Sequence, residues 1–293
     1  MNAYYHAKHW LKLGRWQTRR ALAAARWGIA SQRALPAVLG NAMPKSGSHL
    51  IIQVLQGLTR LGPFVNPGFP PVNRSESNDK LSTAAILANL QQMQPGDIAY
   101  GYISASEPFL STLIAPGRAT VFVFRDPRDM IVSHVFYAAQ MHPGHWMHRY
   151  YTQTLQTMEE RINAAIEGVN EDGSDRKYSS ALTPVRQRYQ GYLGWLEAPQ
   201  VLSLRFEDLI LERDVALGRL IDYLQERGFT AKIPRSEAIN VLKEAIAPRK
   251  SGTFRKGQPG NWRDHFTPQN KEVFKENTGD LLVMLGYEQD DRW

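Results

Sequence analysis

The sequence of 293 residues contains no cysteine, and this absence excludes several kinds of chemistry at once. Without thiols the chain cannot form disulfide bonds, thiolate zinc sites or a cysteine nucleophile. Long apolar runs are also absent, since the most apolar early stretch, residues 21–30, is short and contains Arg26 and Trp27. The same stretch lacks the uninterrupted core of a secretory signal peptide, so we expect a cytoplasmic protein.

Patterns that would indicate other functions are missing as well. The GxxxxGK[ST] loop of P-loop kinases occurs nowhere in the chain, which disfavours a kinase. No cluster of histidines and carboxylates has the spacing of metal ligands, so we expect no metal. Lys and Arg number 35 against 28 Asp and Glu, and this net charge of +7 favours anionic partners. Nucleic acid is disfavoured among these, because the cations are scattered and no interleaved aromatic platform accompanies them.

The first 34 residues form a basic amphipathic segment, which we separate from a domain spanning residues 35–293. Tryptophan and leucine are interleaved there with lysine and arginine, which predicts one or two amphipathic helices. Such helices suit peripheral contact with an anionic membrane. They equally suit packing on the domain, with their long basic side chains lying over its apolar surface. We favour packing and keep the membrane interpretation open. The oligomeric state is not indicated.

From residue 35 onward the pattern alternates between strands and helices. The predicted strands are residues 36–43, 98–103, 119–124 and 201–206. The predicted helices are residues 46–60, 82–93, 107–114, 127–140, 146–168 and 183–196, before a mostly helical remainder broken by a loop at 248–262. This alternation predicts an α/β fold with a central parallel sheet flanked by helices on both faces.

A candidate anion-binding loop, residues 43–49, follows the first predicted strand and reads Met-Pro-Lys-Ser-Gly-Ser-His. A short turn of glycine and small hydroxyl residues exposes backbone N–H groups, and the helix start behind it carries partial positive charge. Lys45 adds a full charge. The alternative interpretation is an ordinary helix start that is capped by Ser46 or Ser48.

A second candidate site follows the strand at residues 119–124. Ligands of open α/β sheets bind at the carboxyl ends of strands, where Arg125 offers a guanidinium suited to a phosphate. Ser133 lies two helical turns further on. Arg128 and Asp129 are interpreted as a surface pair, and the alternative for Arg125 is a structural salt bridge.

A third candidate site is the loop from Phe254 to Trp262. The adjacent cations Arg255 and Lys256, followed by Gly257, suit a flexible loop that closes over an anion. The alternative interpretation is a solvated basic loop.

Together these three signals resemble the family of sulfotransferases that use the donor PAPS (3′-phosphoadenosine 5′-phosphosulfate), over most of residues 38–286. The positions that fall on the family's donor motifs are Lys45, Ser46, Gly47, Ser48 and His49 for the 5′-phosphosulfate, Arg125 and Ser133 for the 3′-phosphate, Arg255, Lys256 and Gly257 in its RKGxxGDW loop, and Phe206 in its YEDL motif. Phe206 replaces the usual tyrosine and Leu50 the usual tryptophan, so adenine contacts are expected to differ in detail.

The resemblance implies a P-loop-like sulfotransferase fold and transfer of a sulfuryl group from PAPS to a hydroxyl or amine, giving PAP without a metal. Lys45 is then expected to stabilise charge on the bridging oxygen. The acceptor is expected to be a small molecule, a lipid or a glycan. The alternative is a protein of the same fold that binds PAP without catalysis.

The general base is where the sequence departs from the family. Bacterial members often carry Gly-His-Leu on the strand before the 3′-phosphate strand, whereas this chain reads Gly101-Tyr102-Ile103. The candidates are Tyr102, by position, and Glu107, and we expect Glu107 because a free carboxylic acid titrates closer to neutrality than a phenol. Weaker alternatives are three histidines beyond the 3′-phosphate signature: His134, His142 and His145.

Overall fold

The structure, a computed structural model, describes residues 3–169, 182–247 and 257–293. The chain divides into two compact units, the first being Met1–Phe124 with Tyr192–Ser251 and the second Arg125–Gly191 with Gly252–Trp293. The boundary at residue 34 stays a prediction. No helix within the described ranges is long and apolar enough to cross a membrane.

One sheet of four parallel strands lies in the first unit. The strands are β1 (Ala37–Ala42), β2 (Ile98–Gly101), β3 (Arg118–Phe124) and β4 (Leu202–Arg205). Their order is β2-β1-β3-β4, and every neighbouring pair is parallel. All six residues of β1 are buried, as expected for an inner strand covered on both faces. The predicted α/β class with a central parallel sheet is confirmed.

The helices of both units follow the predicted alternation closely. They are α1 (Ala3–Trp27), α2 (Ile29–Arg33), α3 (Ser48–Gly57), α4 (Thr83–Gln92), α5 (Phe109–Ile114), α6 (Pro127–Phe136), α7 (Met158–Glu167), α8 (Val185–Glu197), α9 (Phe206–Leu211), α10 (Arg213–Gln225), α11 (Arg235–Ala245), α12 (Pro268–Thr278) and α13 (Leu281–Met284). Single turns of other helical types lie at Leu58–Arg60, Tyr137–Met141, Tyr150–Thr154 and Asn261–Asp264.

Side-chain alternation along β3 shows how helices cover the sheet. Val121 and Val123 join the core that also contains residues of α3, α10 and α11. Phe122 and Phe124 lie on the opposite face, where the Phe122 ring stacks on Tyr192 of α8 with centroids 6.0 Å apart. Both faces therefore carry helices, as predicted.

The single helix that was predicted over residues 146–168 is wrong. A wide π-helical turn at Tyr150–Thr154 ends before an extended stretch, and α7 begins only at Met158. The Thr157 hydroxyl accepts the Glu160 N–H at 3.1 Å, while the Glu160 carboxylate accepts the Thr157 N–H at 2.9 Å. This capping box fixes a new helix start inside a continuous helical pattern.

One face of α1 packs on the rest of the first unit. Trp16 is 7% exposed, and its indole N–H donates to the buried Asp97 carboxylate at 2.9 Å. Arg20 pairs with the same carboxylate at 2.7 Å, and Lys12 reaches Glu76 at 2.7 Å. The helices predicted for the first 34 residues are present, and the packing interpretation is confirmed for this face.

Candidate functional site

The predicted anion loop joins the carboxyl end of β1 to the start of α3. Lys45 and Gly47 adopt positive φ angles of 67° and 94°, which turn the backbone sharply before the helix. Among the described residues, the N–H groups of Gly47, Ser48 and His49 have no backbone acceptor. Such N–H groups at a helix start, together with the helix dipole, form a ready anion site.

Ser46 gives independent support for an anion in this loop. The residue is fully buried, and its hydroxyl has no hydrogen-bond partner within the described part of the chain. Buried hydroxyl groups are nearly always paired, because an unmade hydrogen bond leaves their desolvation uncompensated. A phosphate or phosphosulfate oxygen would accept from this hydroxyl and from the adjacent N–H groups. The residues present therefore fit the donor that the sequence predicts.

Lys45 and His49 set the electrostatics of the loop. Lys45 is half-buried and brings an ammonium charge to the turn. The pKa of His49 lies below its ordinary value because desolvation disfavours the charged imidazole and because the Lys45 charge repels it. This shift favours the uncharged imidazole, so the positive charge of the loop comes from Lys45.

Phe206 packs directly against the loop. A Cβ on Gly47 would lie 2.5 Å from Cδ2 of the Phe206 ring, so only glycine permits this approach. The strand predicted through residue 206 ends one residue earlier, and Phe206 opens α9. Glu207 and Asp208 in the first turn favour a helix start through the helix dipole, which outweighs the β-propensity of the preceding residues.

Tyr102 is the candidate base that contacts the loop. Its hydroxyl donates to the Ser48 hydroxyl at 3.1 Å. The Asn73 side-chain amide pairs with both the N–H and the carbonyl of Tyr102, each at 3.2 Å. The buried Asn41 amide of β1 pairs in the same way with Ile103, at 2.8 and 2.9 Å. Two asparagines therefore fix the backbone that carries Tyr102.

Glu107 makes a different set of contacts. Its carboxylate is exposed just before α5 and accepts a hydrogen bond from the Ser111 hydroxyl at 2.6 Å. The sequence-based preference for Glu107 rests on residue type alone, and in the structure this carboxylate faces water. Of the two candidates, the structure brings Tyr102 to the loop.

Two residues near Tyr102 were missed from the sequence. Burial raises the pKa of Tyr192 to about 12. The nearby Tyr102 adds to this shift, and the charge of Arg74 opposes it. No sequence signal marks this residue, because it belongs to a distant helix. Asn41 was detectable, since a polar residue inside an apolar strand requires a buried partner.

In the second unit, Arg125 and Ser133 lie where the sequence predicts them. Arg125 directly follows β3 and is 8% exposed. One guanidinium nitrogen lies 3.5 Å from the Asp129 carboxylate and 3.5 Å from the Gln258 carbonyl. Both distances are at the outer limit of hydrogen bonding. Ser133 is half-buried on α6, two turns further on.

The interpretation of Arg128 and Asp129 as a surface pair is wrong. Asp129 is 1% exposed and accepts the backbone N–H groups of Gly260 and Trp262, each at 2.8 Å. Burial raises the pKa of Asp129, against the opposing Arg125 charge and these two hydrogen bonds. The carboxylate thus holds the Gly-Asn-Trp turn that ends the third predicted motif.

Arg128 is buried with its own partners. It forms a bidentate pair with Asp126, with contacts of 2.7 and 3.0 Å, and its other terminal nitrogen lies 2.6 Å from Glu288. The guanidinium carbon lies 4.0 Å from the Trp262 ring centroid and 4.5 Å from that of Trp293. Burial opposes the charge, but the two carboxylates outweigh it and raise the pKa of Arg128. This cluster orders the helix start next to Arg125.

Arg255 and Lys256 of the third motif lie outside the described residues. Gly257 and Gly260 are described, with φ angles of 60° and 78°. These left-handed angles explain why glycine occupies both positions.

Comparison with known proteins gives the family of the chain. Residues 105–284, more than half of the sequence, match the family model of the sulfotransferase domain. The chain therefore belongs to the sulfotransferase family.

Two curated relatives match parts of the chain. A 3-alpha-hydroxysteroid sulfotransferase of Cavia porcellus is 24% identical over 168 residues, covering 53% of this chain and 52% of that protein. Cytosolic sulfotransferase 11 of Arabidopsis thaliana is 32% identical over 102 residues, covering 28% of this chain and 29% of that protein. The chain thus spans about half the length of the first relative and less than a third of the second.

Solved structures agree on the fold. A mouse sulfotransferase complexed with PAP has a TM-score of 0.56 and 14% identity, covering 88% of this chain and 92% of that one. Retinol dehydratase in complex with androsterone and PAP has a TM-score of 0.51 and 16% identity, covering 85% and 84%. At these identities the likeness shows the sulfotransferase fold alone.

Proposed function

We propose that the chain transfers a sulfuryl group from PAPS to a hydroxyl or amine of an acceptor and releases PAP. The observation that carries the proposal is the buried Ser46 hydroxyl, unpartnered among the described residues, in a loop whose N–H groups suit an anion. Family membership supports sulfuryl transfer, and PAP in the solved relatives of similar fold supports this nucleotide.

The contacts to the donor are assigned to the residues of this chain that match the family's motifs. Lys45, Ser46, Gly47, Ser48 and His49 are proposed to hold the 5′-phosphosulfate, Arg125 and Ser133 the 3′-phosphate, and Phe206 to flank the loop. Arg255, Lys256 and Gly257 are assigned to the donor from the family motif alone.

The chemistry needs positioning and charge stabilisation rather than a covalent enzyme intermediate. PAPS supplies the activated sulfuryl group when it is bound. Lys45 is proposed to neutralise charge that develops on the bridging oxygen as the bond from that oxygen to sulfur breaks. Tyr102 is proposed to orient the acceptor and, in its phenolate form, to take the acceptor's proton, which restores the phenol that is hydrogen-bonded to Ser48.

An apolar, hydroxyl-bearing molecule is the acceptor class that we propose. The names of two relatives include a 3-alpha-hydroxysteroid and androsterone. In the second unit of this chain, the centroid of the His145 ring lies 5.6 Å from that of Tyr137 and 5.3 Å from that of Trp146, and Trp146 is 37% exposed. Such rings suit an apolar acceptor skeleton.

Turnover is tested by incubating the chain with PAPS and a panel of a 3-alpha-hydroxysteroid, a simple phenol, an amine and a glycan. We expect PAP to be released only when one of the hydroxyl-bearing apolar compounds is present. The variant Lys45→Ala is expected to lower the rate of this release by about a hundredfold or more. PAP binding without turnover on any acceptor would instead favour the non-catalytic alternative.

Single-turnover rates separate the two candidate bases. Tyr102→Phe is expected to slow the chemical step by about a hundredfold, because it removes the proton-accepting group while PAP affinity stays unchanged. Glu107→Gln is the matched control and is expected to keep the full rate, since its exposed carboxylate contacts Ser111 rather than the loop. A slow Glu107→Gln with an unaffected Tyr102→Phe would contradict this assignment.

A further inference from the structure

The outer face of α1 and α2 is apolar and exposed, in contrast to the face that packs on the unit. Trp10 is 71% exposed, Leu11 64%, Leu22 64% and Ile29 59%. These four are among only ten large hydrophobic side chains that are exposed in the described part of the chain. Their concentration within the first 33 residues sets these two helices apart from the singly exposed hydrophobic residues elsewhere.

A depression open to solvent lies on this face of α1. Its lining consists of Ala7, Trp10, Leu11, Gly14 and Thr18 together with the side chains of Arg15 and Arg19. A Cβ added at Gly14 would meet no atom within 4 Å, so the helix here faces open space.

The charge of the same helices has one sign. No acidic residue occurs before Glu76, and α1 and α2 together carry only cations. Lys12 and Arg20 pair with carboxylates on the packed face. Arg15 and Arg26 are exposed, and at 100° per residue both lie along one edge of the apolar stripe.

We propose that the outer face of α1 and α2 docks on an anionic lipid surface, independently of the sulfuryl transfer. Trp10, Leu11 and Leu22 would enter the boundary between headgroups and acyl chains, and the flanking arginines would meet the anionic headgroups. The inner face would hold the domain to the docked helix. A symmetric contact with a second copy is disfavoured, because it would bring Arg15 and Arg26 against the same cations of the partner.

Vesicle sedimentation of the full chain tests this proposal. We expect binding to vesicles of phosphatidylcholine with phosphatidylserine, weaker binding at high salt, and little binding to phosphatidylcholine alone. The double variant Leu11→Glu with Leu22→Glu is expected to lower the partition coefficient at least about tenfold, since it removes buried apolar area and adds like charge.

Matched variants keep the test independent of folding. Gly14→Leu and Gly14→Glu both fill open space and favour the helix over glycine, so both are expected to fold. Gly14→Leu is expected to strengthen vesicle binding and Gly14→Glu to weaken it. Leu211→Glu, at a residue 68% exposed on α9, is the control that should leave binding unchanged.

Three results would overturn the proposal. The first is no binding of the full chain to anionic vesicles. The second is an equal loss of binding in the Leu211→Glu control. The third is a dimer that Gly14→Glu dissociates while vesicle binding is absent, which would assign the face to a second copy.

Discussion

Arg128→Met is expected to lower the free energy of unfolding by about 3–5 kcal/mol, because it leaves two carboxylates next to an apolar side chain. The Arg128 side chain is only 2% exposed, and its partners Asp126 and Glu288 are 8% and 23% exposed. The guanidinium also loses its contacts with two tryptophan rings. Chemical denaturation followed by tryptophan fluorescence measures the change.

An exposed pair of the same geometry is the control. Arg235 contacts Asp222 at 2.7 and 2.8 Å, as closely as Arg128 contacts Asp126, but these side chains are 50% and 47% exposed. Solvent screens such a pair, so Arg235→Met is expected to cost at most about 1 kcal/mol. Equal losses for the two variants would show that burial does not decide the strength of the Arg128 cluster.

Gly47→Ala is expected to abolish measurable PAP binding at concentrations that saturate the unchanged chain. A side chain at φ 94° is strained, and its Cβ would lie 2.5 Å from the Phe206 ring. Either the ring or the loop has to move, and the N–H groups of Gly47 and Ser48 then lose their alignment on the anion. Isothermal titration with PAP measures the loss.

Gly117→Ala separates the clash from the backbone strain. Gly117 has a similar φ of 78°, but a Cβ there would meet nothing within 4 Å. This control is expected to cost about 1 kcal/mol of stability and to leave PAP affinity unchanged. If both variants bind PAP normally, the loop at residue 47 is not the anion site.

The sheet was predictable because its signals are local. Apolar runs such as residues 119–124 bounded by turn residues indicate strands without any knowledge of tertiary contacts. The Thr-x-x-Glu pattern at Thr157 is equally local and would have divided the helix predicted over residues 146–168.

Contacts between distant parts of the chain were not predictable. Asp129 holds the backbone at Gly260 and Trp262, more than a hundred residues away, and nothing in an Arg-Asp pair reveals that. The choice between Tyr102 and Glu107 depends on contacts of the same kind. Residue type favours the carboxylate, but only the fold shows that the phenol contacts Ser48.

Donor recognition is the central claim, and isothermal titration of PAP against adenosine 5′-phosphate tests it most directly. The two ligands differ only in the 3′-phosphate that is assigned to Arg125 and Ser133. A charge-assisted hydrogen bond contributes about 1.5–3 kcal/mol, so PAP is expected to bind at least about tenfold more tightly. Arg125→Ala is expected to reduce that difference while adenosine 5′-phosphate binds as before. Equal affinities of the unchanged chain for the two nucleotides would contradict the account.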